Sequence, residues 1–226
     1  MESVITGVIP DMQFPGHIDG SLEFIQRTFD KYKVSRVVCI GDLIDHHYIG
    51  FHQNEVDAPN SEQEWELTMM ELERWVKAFP KVYCCTGNHD ERPDRVAAAQ
   101  GMSPKKFLKS INDVYNLPDS WFWDTQWDFD NVLYEHGLGS NGMYGCKNTA
   151  IKLGTSYVQG HTHAHAAVFD IPQFRRNICA MNVGCLMDIN KYNARYGRKF
   201  FKIGMSLGCG IVENSTSMKF VPYRGK

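Results

Sequence analysis

Five short polar motifs carry most of the chemistry in this 226-residue chain, and they come in a fixed order: Asp11-Met12-Gln13, Gly41-Asp42-Leu43-Ile44-Asp45, Gly87-Asn88-His89-Asp90, Glu135-His136-Gly137 and Gly160-His161-Thr162-His163. Asp11 and Asp42 supply negative charge, Asn88 a neutral amide oxygen, and His136, His161 and His163 imidazole nitrogens. Oxygen and imidazole donors of this kind can hold two divalent cations about 3.5–4 Å apart while leaving room for water. Four of the five motifs follow directly on a short apolar, β-type run, which places their donors at strand ends. Histidines two apart on an extended segment face opposite ways. His161 and His163 are therefore expected in a turn, where they reach two different ions, with Gly160 helping that turn to form. The ordered set makes the chain a candidate two-metal hydrolase.

The elements that must position these donors are legible as apolar alternation and periodicity. Residues 3–9 read as a first strand ending at Pro10-Asp11, 35–40 as a strand delivering Gly41-Asp42, and 81–85 as one delivering Gly87 to Asp90. Leu22, Ile25 and Phe29 share one face of a helix over 21–32, with Ser21 as its N-cap and Phe24 where a capping-box acid would stand. A longer helix over 61–78 has Ser61 at its N-cap and Glu64 three residues on, a capping box. This strand–helix–strand–helix–strand run predicts parallel pairing in an α/β layer. Beyond it, 131–135, 156–159, 166–170, 178–183, 200–207 and 218–222 read as short strands with few helices between them, a second and more mixed sheet. Two sheets packed face to face with helices outside are expected. Residues 46–60 and 91–130 read as insertions into one domain covering 1–226. The second carries Ala97-Ala98-Ala99, a short helix at 104–115, and then Trp121, Phe122, Trp123, Trp127 and Phe129. That aromatic cluster reads as a satellite core under a loop or as a stacking platform for a base or an aromatic leaving group.

Composition sets the outer bounds. The chain is 43% hydrophobic and 22% charged with a formal net charge of −2, so no global basic field draws in duplex nucleic acid. Lys105-Lys106, Lys109 and Arg175-Arg176 are small basic groups, either a solvated face or a track for a phosphate backbone. The seven cysteines form no Cys-x-x-Cys pair and three lie in apolar runs, which reads as reduced core residues and a cytoplasmic location. The N-terminal Met-Glu-Ser-Val-Ile has no basic region and no long apolar region, so no signal peptide is expected. No apolar run approaches the roughly 20 residues of a membrane span, and no membrane partner is expected.

The motif set resembles the calcineurin-like metallophosphoesterase superfamily, and the likeness spans residues 11 to 163. Gly-Asp-x-x-Asp, Gly-Asn-His-Asp and Gly-His-Thr-His in that order carry it. The resemblance implies an α/β fold: a four-layer α-β-β-α sandwich of two mixed β-sheets flanked by helices. It implies that Asp42 bridges two metals, that Asp11 and His163 complete one site, and that Asn88, His136 and His161 complete the other. It implies that His89 is the general acid protonating the departing oxygen and that Asp45 orients it, with a metal-bridging hydroxide attacking phosphorus in line. A nearby carboxylate favours the histidine cation, and a positioned acid contributes about 10²–10⁴-fold.

Two positions depart from the family pattern. Gln13 stands where the family usually has histidine; its amide oxygen tilts that site towards manganese or magnesium, with Gln13 either a direct ligand or bound only through water. His46, with His47 beside it, stands where the phosphoprotein phosphatase branch has an arginine that clamps phosphate bidentately. Its loss weakens the case for a dianionic phosphoserine and favours a diester, with His46 and His47 either substrate contacts or solvated loop side chains. The expectation is a metal-dependent phosphoric ester hydrolase with two divalent ions, manganese foremost and magnesium, nickel, iron or zinc as alternatives. Its substrate would be a phosphodiester of nucleotide or single-stranded nucleic acid type. The alternatives are a phosphomonoesterase or protein phosphatase, and a non-catalytic scaffold of the same fold such as the retromer subunit. Such scaffolds lose the general acid, and this chain keeps His89.

Overall fold

Neighbouring side chains on a strand face opposite ways, and in this chain that alternation splits each apolar run between two cores. A computed structural model describes residues 4–50, 55–195 and 204–225. In β1 (Thr6–Ile9), β2 (Arg36–Cys39) and β3 (Val82–Cys85), Ile9, Cys39 and Cys84 turn one way. They meet Leu22, Ile25 and Phe29 of α1 (Ser21–Tyr32) and Leu72 and Trp75 of α2 (Ser61–Ala78). Val8, Val38 and Cys85 turn the other way, into a core shared with a second sheet. That sheet contributes Val132 and Tyr134 from β6 (Val132–Glu135), Val158 from β7 (Ser156–Gln159) and Met181 from β9 (Ile178–Asn182). On its outer face Cys146 and Ala150 of α6 (Gly145–Leu153) pack on Tyr157, Ile178 and Ala180. The result is the four-layer α-β-β-α sandwich.

The sheets are both mixed. The first runs β11-β10-β1-β2-β3-β4, with β4 (Trp121–Asp124), β10 (Gly208–Asn214) and β11 (Ser217–Pro222) added to the parallel β1-β2-β3. The second runs β5-β6-β7-β9-β8, with β5 (Gln126–Phe129) and β8 (Ala167–Ile171) antiparallel at its edges. All seven cysteines are buried and free.

Several local expectations are corrected. The α2 capping box belongs to Asn60 and Gln63, one residue earlier than Ser61 and Glu64: Asn60 Oδ1 accepts from the Gln63 amide at 3.0 Å and Gln63 Oε1 from the Asn60 amide at 3.1 Å. Glu64 is thereby free for a different job, accepting the His47 and Tyr48 amides at 2.6 and 3.0 Å where the chain makes a tight helical turn at His47–Ile49. Helix α1 starts after Gly20 in the left-handed region, and Ser21 lies inside the first turn without capping it. The helix expected over 104–115 is two short ones, α4 (Pro104–Phe107) and α5 (Ile111–Tyr115), because Leu108 is extended and Ser110 caps a fresh start. An eight-residue helix, α3 (Arg92–Ala99), precedes them.

The aromatic cluster is no satellite core. Trp121 belongs to the main helix–sheet core and donates its indole N–H to the Phe79 carbonyl at 2.8 Å. Trp127 and Phe129 close the end of the core between the sheets. Of the strand expected over 200–207, residues 200–203 lie outside the described residues and 204–206 are not strand; Leu207 makes only an isolated bridge.

Candidate metal centre

Parallel strands bring their carboxyl ends to one edge, where ligands of α/β folds collect. Here β1, β2 and β3 deliver Asp11, Asp42 and Asn88 from one sheet, while β6 and β7 deliver His136 and His161 from the other. The loops are then tied to one another. The Gln13 amide donates to the Asp42 carbonyl at 2.9 Å, and the Gly160 amide to the His136 carbonyl at 3.2 Å. Gln13, Asp42, His46 and His161 all adopt left-handed backbone, with φ of 47°, 48°, 49° and 65°. Strain of this kind in non-glycine residues concentrates at functional sites.

Two groups of donors result, and Asp42 belongs to both. In one, Asp42, His136 and His161 present ligand atoms within 4.8 Å of each other; in the other, Asp11, Asp42 and His163 do so. Around the first group, His136 Nε2 lies 3.2 Å from Asp42 Oδ2, 3.1 Å from Asn88 Oδ1 and 3.3 Å from His161 Nδ1. In the second, His163 Nε2 lies 3.0 Å from Asp11 Oδ2. His136 Nδ1 sits 3.1 Å from the Ile40 carbonyl, which fixes the ring with Nε2 towards its neighbours. Outer hydrogen bonds of this type orient metal-ligating histidines.

The electrostatics suit a cation. Asp11, Asp42, Asp45 and Asp90 are all buried, and Asp11 Oδ1 has no hydrogen-bond partner. Buried charge is costly unless paired or bound to metal. Burial works against ionisation of Asp42, but the charges of His136 and His89 outweigh it and hold this carboxyl well below the usual range. For His136 burial again opposes the cation, and the Asp42 charge and hydrogen bond prevail, pushing it up to about 10, so a metal at Nε2 would have to displace that proton. Burial, reinforced by the His136 charge, lowers His161 and favours the neutral imidazole that metals bind. Hard carboxylate and amide oxygens mixed with imidazole nitrogens are a fitting donor set for two divalent cations.

His89 stands at the edge of this cluster. Its Nδ1 is 2.8 Å from Asp45 Oδ1, and its amide donates to Asp42 Oδ1 at 2.8 Å. Burial disfavours its cation, but the Asp42 and Asp45 charges outweigh burial and raise it. Gln13 is buried, with its amide nitrogen 3.3 Å from His89 Nε2, and it lines the same cavity of about 200 Å³ as Asp45, His47, His89 and His163. His46 does not face that cavity. Its Nδ1 meets the His89 carbonyl and its Nε2 the Tyr115 hydroxyl, each at 3.0 Å, so it braces the loop from behind, on a larger pocket of about 870 Å³. His47 does reach the cavity, with its ring against Tyr192 at 4.9 Å.

Three contributors were not foreseen. Asp90 takes the Gly87 and Ile44 amides at 2.9 and 3.1 Å and staples the two acidic loops together; its place in Gly-Asn-His-Asp was the available signal. Arg92 lies across Asp45 and His89. Tyr192 closes the cavity from far along the chain, and no motif marks it.

A family model described as calcineurin-like phosphoesterase matches residues 6–157. The chain belongs to that family. The matched stretch holds four of the five motifs, and the family's association with divalent metals agrees with the donor groups found here. Among solved structures, the chain is similar to vacuolar protein sorting 29 from Cryptosporidium parvum, at 10% identity over 98% of this chain and 99% of that one, with a TM-score of 0.47. It is also similar to Yfce, a phosphoesterase from E. coli, at 14% identity over 97% and 99%, with a TM-score of 0.45. No curated protein gives a match. Among the described residues, no helix is long and apolar enough to cross a membrane.

Proposed function

We propose that this protein is a metal-dependent phosphoesterase working with two divalent cations, manganese foremost. The observation that carries the reading is Asp42: one buried carboxylate shared by two donor groups, with the Asp45–His89 pair at their edge. Asp11, Asp42 and His163 would hold one cation, with Gln13 beside them, and Asp42, Asn88, His136 and His161 the other. Bound there, the cations would share the negative charge of the phosphoryl oxygens and make an attacking water acidic at neutral pH.

The chain's own residues do the rest. Asp45 keeps the His89 ring aligned through Nδ1 and favours its cation. His89 Nε2 then gives its proton to the departing oxygen, which leaves poorly as an alkoxide. Asp90 and His46 keep the loop carrying Asn88 and His89 at its distance from Asp42. The presence of His89 in this geometry favours catalysis over a scaffold role.

The lean towards diesters came from His46 standing in place of an arginine. Arg92 brings a guanidinium to the loop that carries His46, 3.2 Å from the His46 carbonyl, so the proposed class is phosphate esters in general, with nucleotide diesters as the first to test. The experiment is a panel of chromogenic mono- and diesters with manganese, magnesium and nickel in turn. Turnover that a chelator abolishes is expected. A metal-loaded protein that cleaves neither class would overturn the reading.

A further inference from the structure

Among the described residues that line the cavity beside the metal centre, Arg92 is the only lysine or arginine. It opens α3, and its side chain, 11% exposed, folds back over the Gly87–Asp90 loop. Nη1 is fully engaged with the protein: it donates to the Asp45 carbonyl at 2.8 Å, to Asp45 Oδ1 at 3.3 Å and to the His46 carbonyl at 3.2 Å. Among the described residues Nη2 has one polar neighbour, His89 Nε2 at 3.1 Å, and that nitrogen can accept at most one of its two hydrogens. The guanidinium thus has one nitrogen fastened to the loop and the other beside the nitrogen that faces a departing oxygen.

The surroundings make that nitrogen useful. Asp11, Asp42 and Asp45 are buried beside this cavity, and an anionic ester entering it meets their charge. A guanidinium matches phosphoryl oxygens in geometry as well as charge. We propose that Arg92 binds the phosphoryl group of the substrate, with Nη2 donating to a non-bridging oxygen while Nη1 keeps its hold on Asp45 and His46. This rests on the phosphoesterase reading and adds to it. The phosphate clamp that seemed lost at position 46 is supplied from the start of α3, reaching back over the same loop.

The competing account is that Arg92 only positions Asp45 and His89. The two separate in a binding measurement that needs no turnover. Protein loaded with manganese is titrated with inorganic phosphate by calorimetry, in wild type and in Arg92→Ala and Arg92→Gln; the Gln variant keeps an amide donor for the loop carbonyls in case Ala fails to fold. Both variants should keep the wild-type manganese stoichiometry and weaken phosphate by ~10-fold or more, the scale of a lost charge-assisted hydrogen bond. Free guanidinium ion at millimolar concentration should restore part of the loss in the Ala variant. Phosphate affinity within about twofold of wild type, with only kcat lowered, would overturn the proposal and leave the phosphoesterase reading standing. Wild-type protein that takes up manganese but binds no phosphate and cleaves no ester would bring down both.

Discussion

Substitution separates the two jobs that meet at the candidate metal centre. His89 is not itself among the proposed metal donors: its backbone amide donates to Asp42 Oδ1, its Nδ1 is held by Asp45, and its Nε2 lies 3.9 Å from Asp42 Oδ2, so truncating the ring leaves every proposed metal donor in place. His89→Ala should therefore keep its metal content and lose ~10²-fold or more in turnover with a poor leaving group. Metal analysis beside steady-state kinetics checks this, and parallel loss of both would contradict the acid role. Asp42→Asn makes the opposite cut. Its carboxylate lies within reach of both donor groups, so its neutralisation should empty both, seen as a fall in bound manganese per chain. Loss of only one ion would mean that Asp42 serves one group alone. At this scale the donors were legible because each follows its strand by one or a few residues, and local sequence decides what a strand delivers. Arg92 was not, because its partners Asp45 and His46 are more than forty residues away and only the tertiary fold brings them over it.

The elements hold these residues by close approach. A Cβ on Gly87 would run into the Asp42 amide and its carboxylate, so the third-strand loop can sit against the second only with no side chain there. Gly87→Ala should lower unfolding free energy by about 1–3 kcal/mol, as overpacking does, and weaken manganese binding; urea denaturation and metal titration read the two effects. Helix α2 makes its own contribution through Glu64, which is 5% exposed and accepts two amides of the His47–Ile49 turn. Burial, with the Asp45 charge in support, pushes its carboxyl up to about 6 from 4.5. The folded chain then holds this proton more tightly than the unfolded one. The contribution is present below the ordinary value and disappears as pH rises through about 6. Relative to Glu64→Gln, wild type should lose up to about 2 kcal/mol across that window, measured by urea unfolding on either side of it. A difference that stays flat with pH would show that Glu64 titrates normally.

At the scale of the molecule, the first half was readable and the second half less so, for physical reasons. A β-α-β run alternates its periodicity, and the helix over Ser61–Ala78 and the strands feeding Asp42 and Asn88 stood out. Strand β10 was hidden by Gly208 and Gly210, which look like turn residues. In the fold Gly210 lies between β1 and β11, where a Cβ would press on Met181 and Val183 of the opposite sheet, so the core between the sheets demands the glycine that masks the strand. Strand β4 was hidden by the opposite excess, aromatic residues on both faces of a sheet edge, while β5 at the edge of the other sheet keeps Trp127 and Phe129 on one face but spans only four residues. The layered arrangement has a consequence for stability. Asp11, Asp42 and Asn88 come from one sheet and His136, His161 and His163 from strands and turns of the other, so cations bound between them would tie the two sheets across the end of their shared core. The unfolded chain offers no such convergence. A ligand that binds only the folded state stabilises it by about 2.7 kcal/mol at a hundred times its dissociation constant. For a domain of this size that corresponds to a rise in melting temperature of about 5–10 °C. Thermal unfolding with and without excess manganese should show that rise, a chelator should reverse it, and His89→Ala should retain it while Asp42→Asn loses it. A melting temperature indifferent to manganese in the wild type would mean that the two sheets meet here without a metal between them.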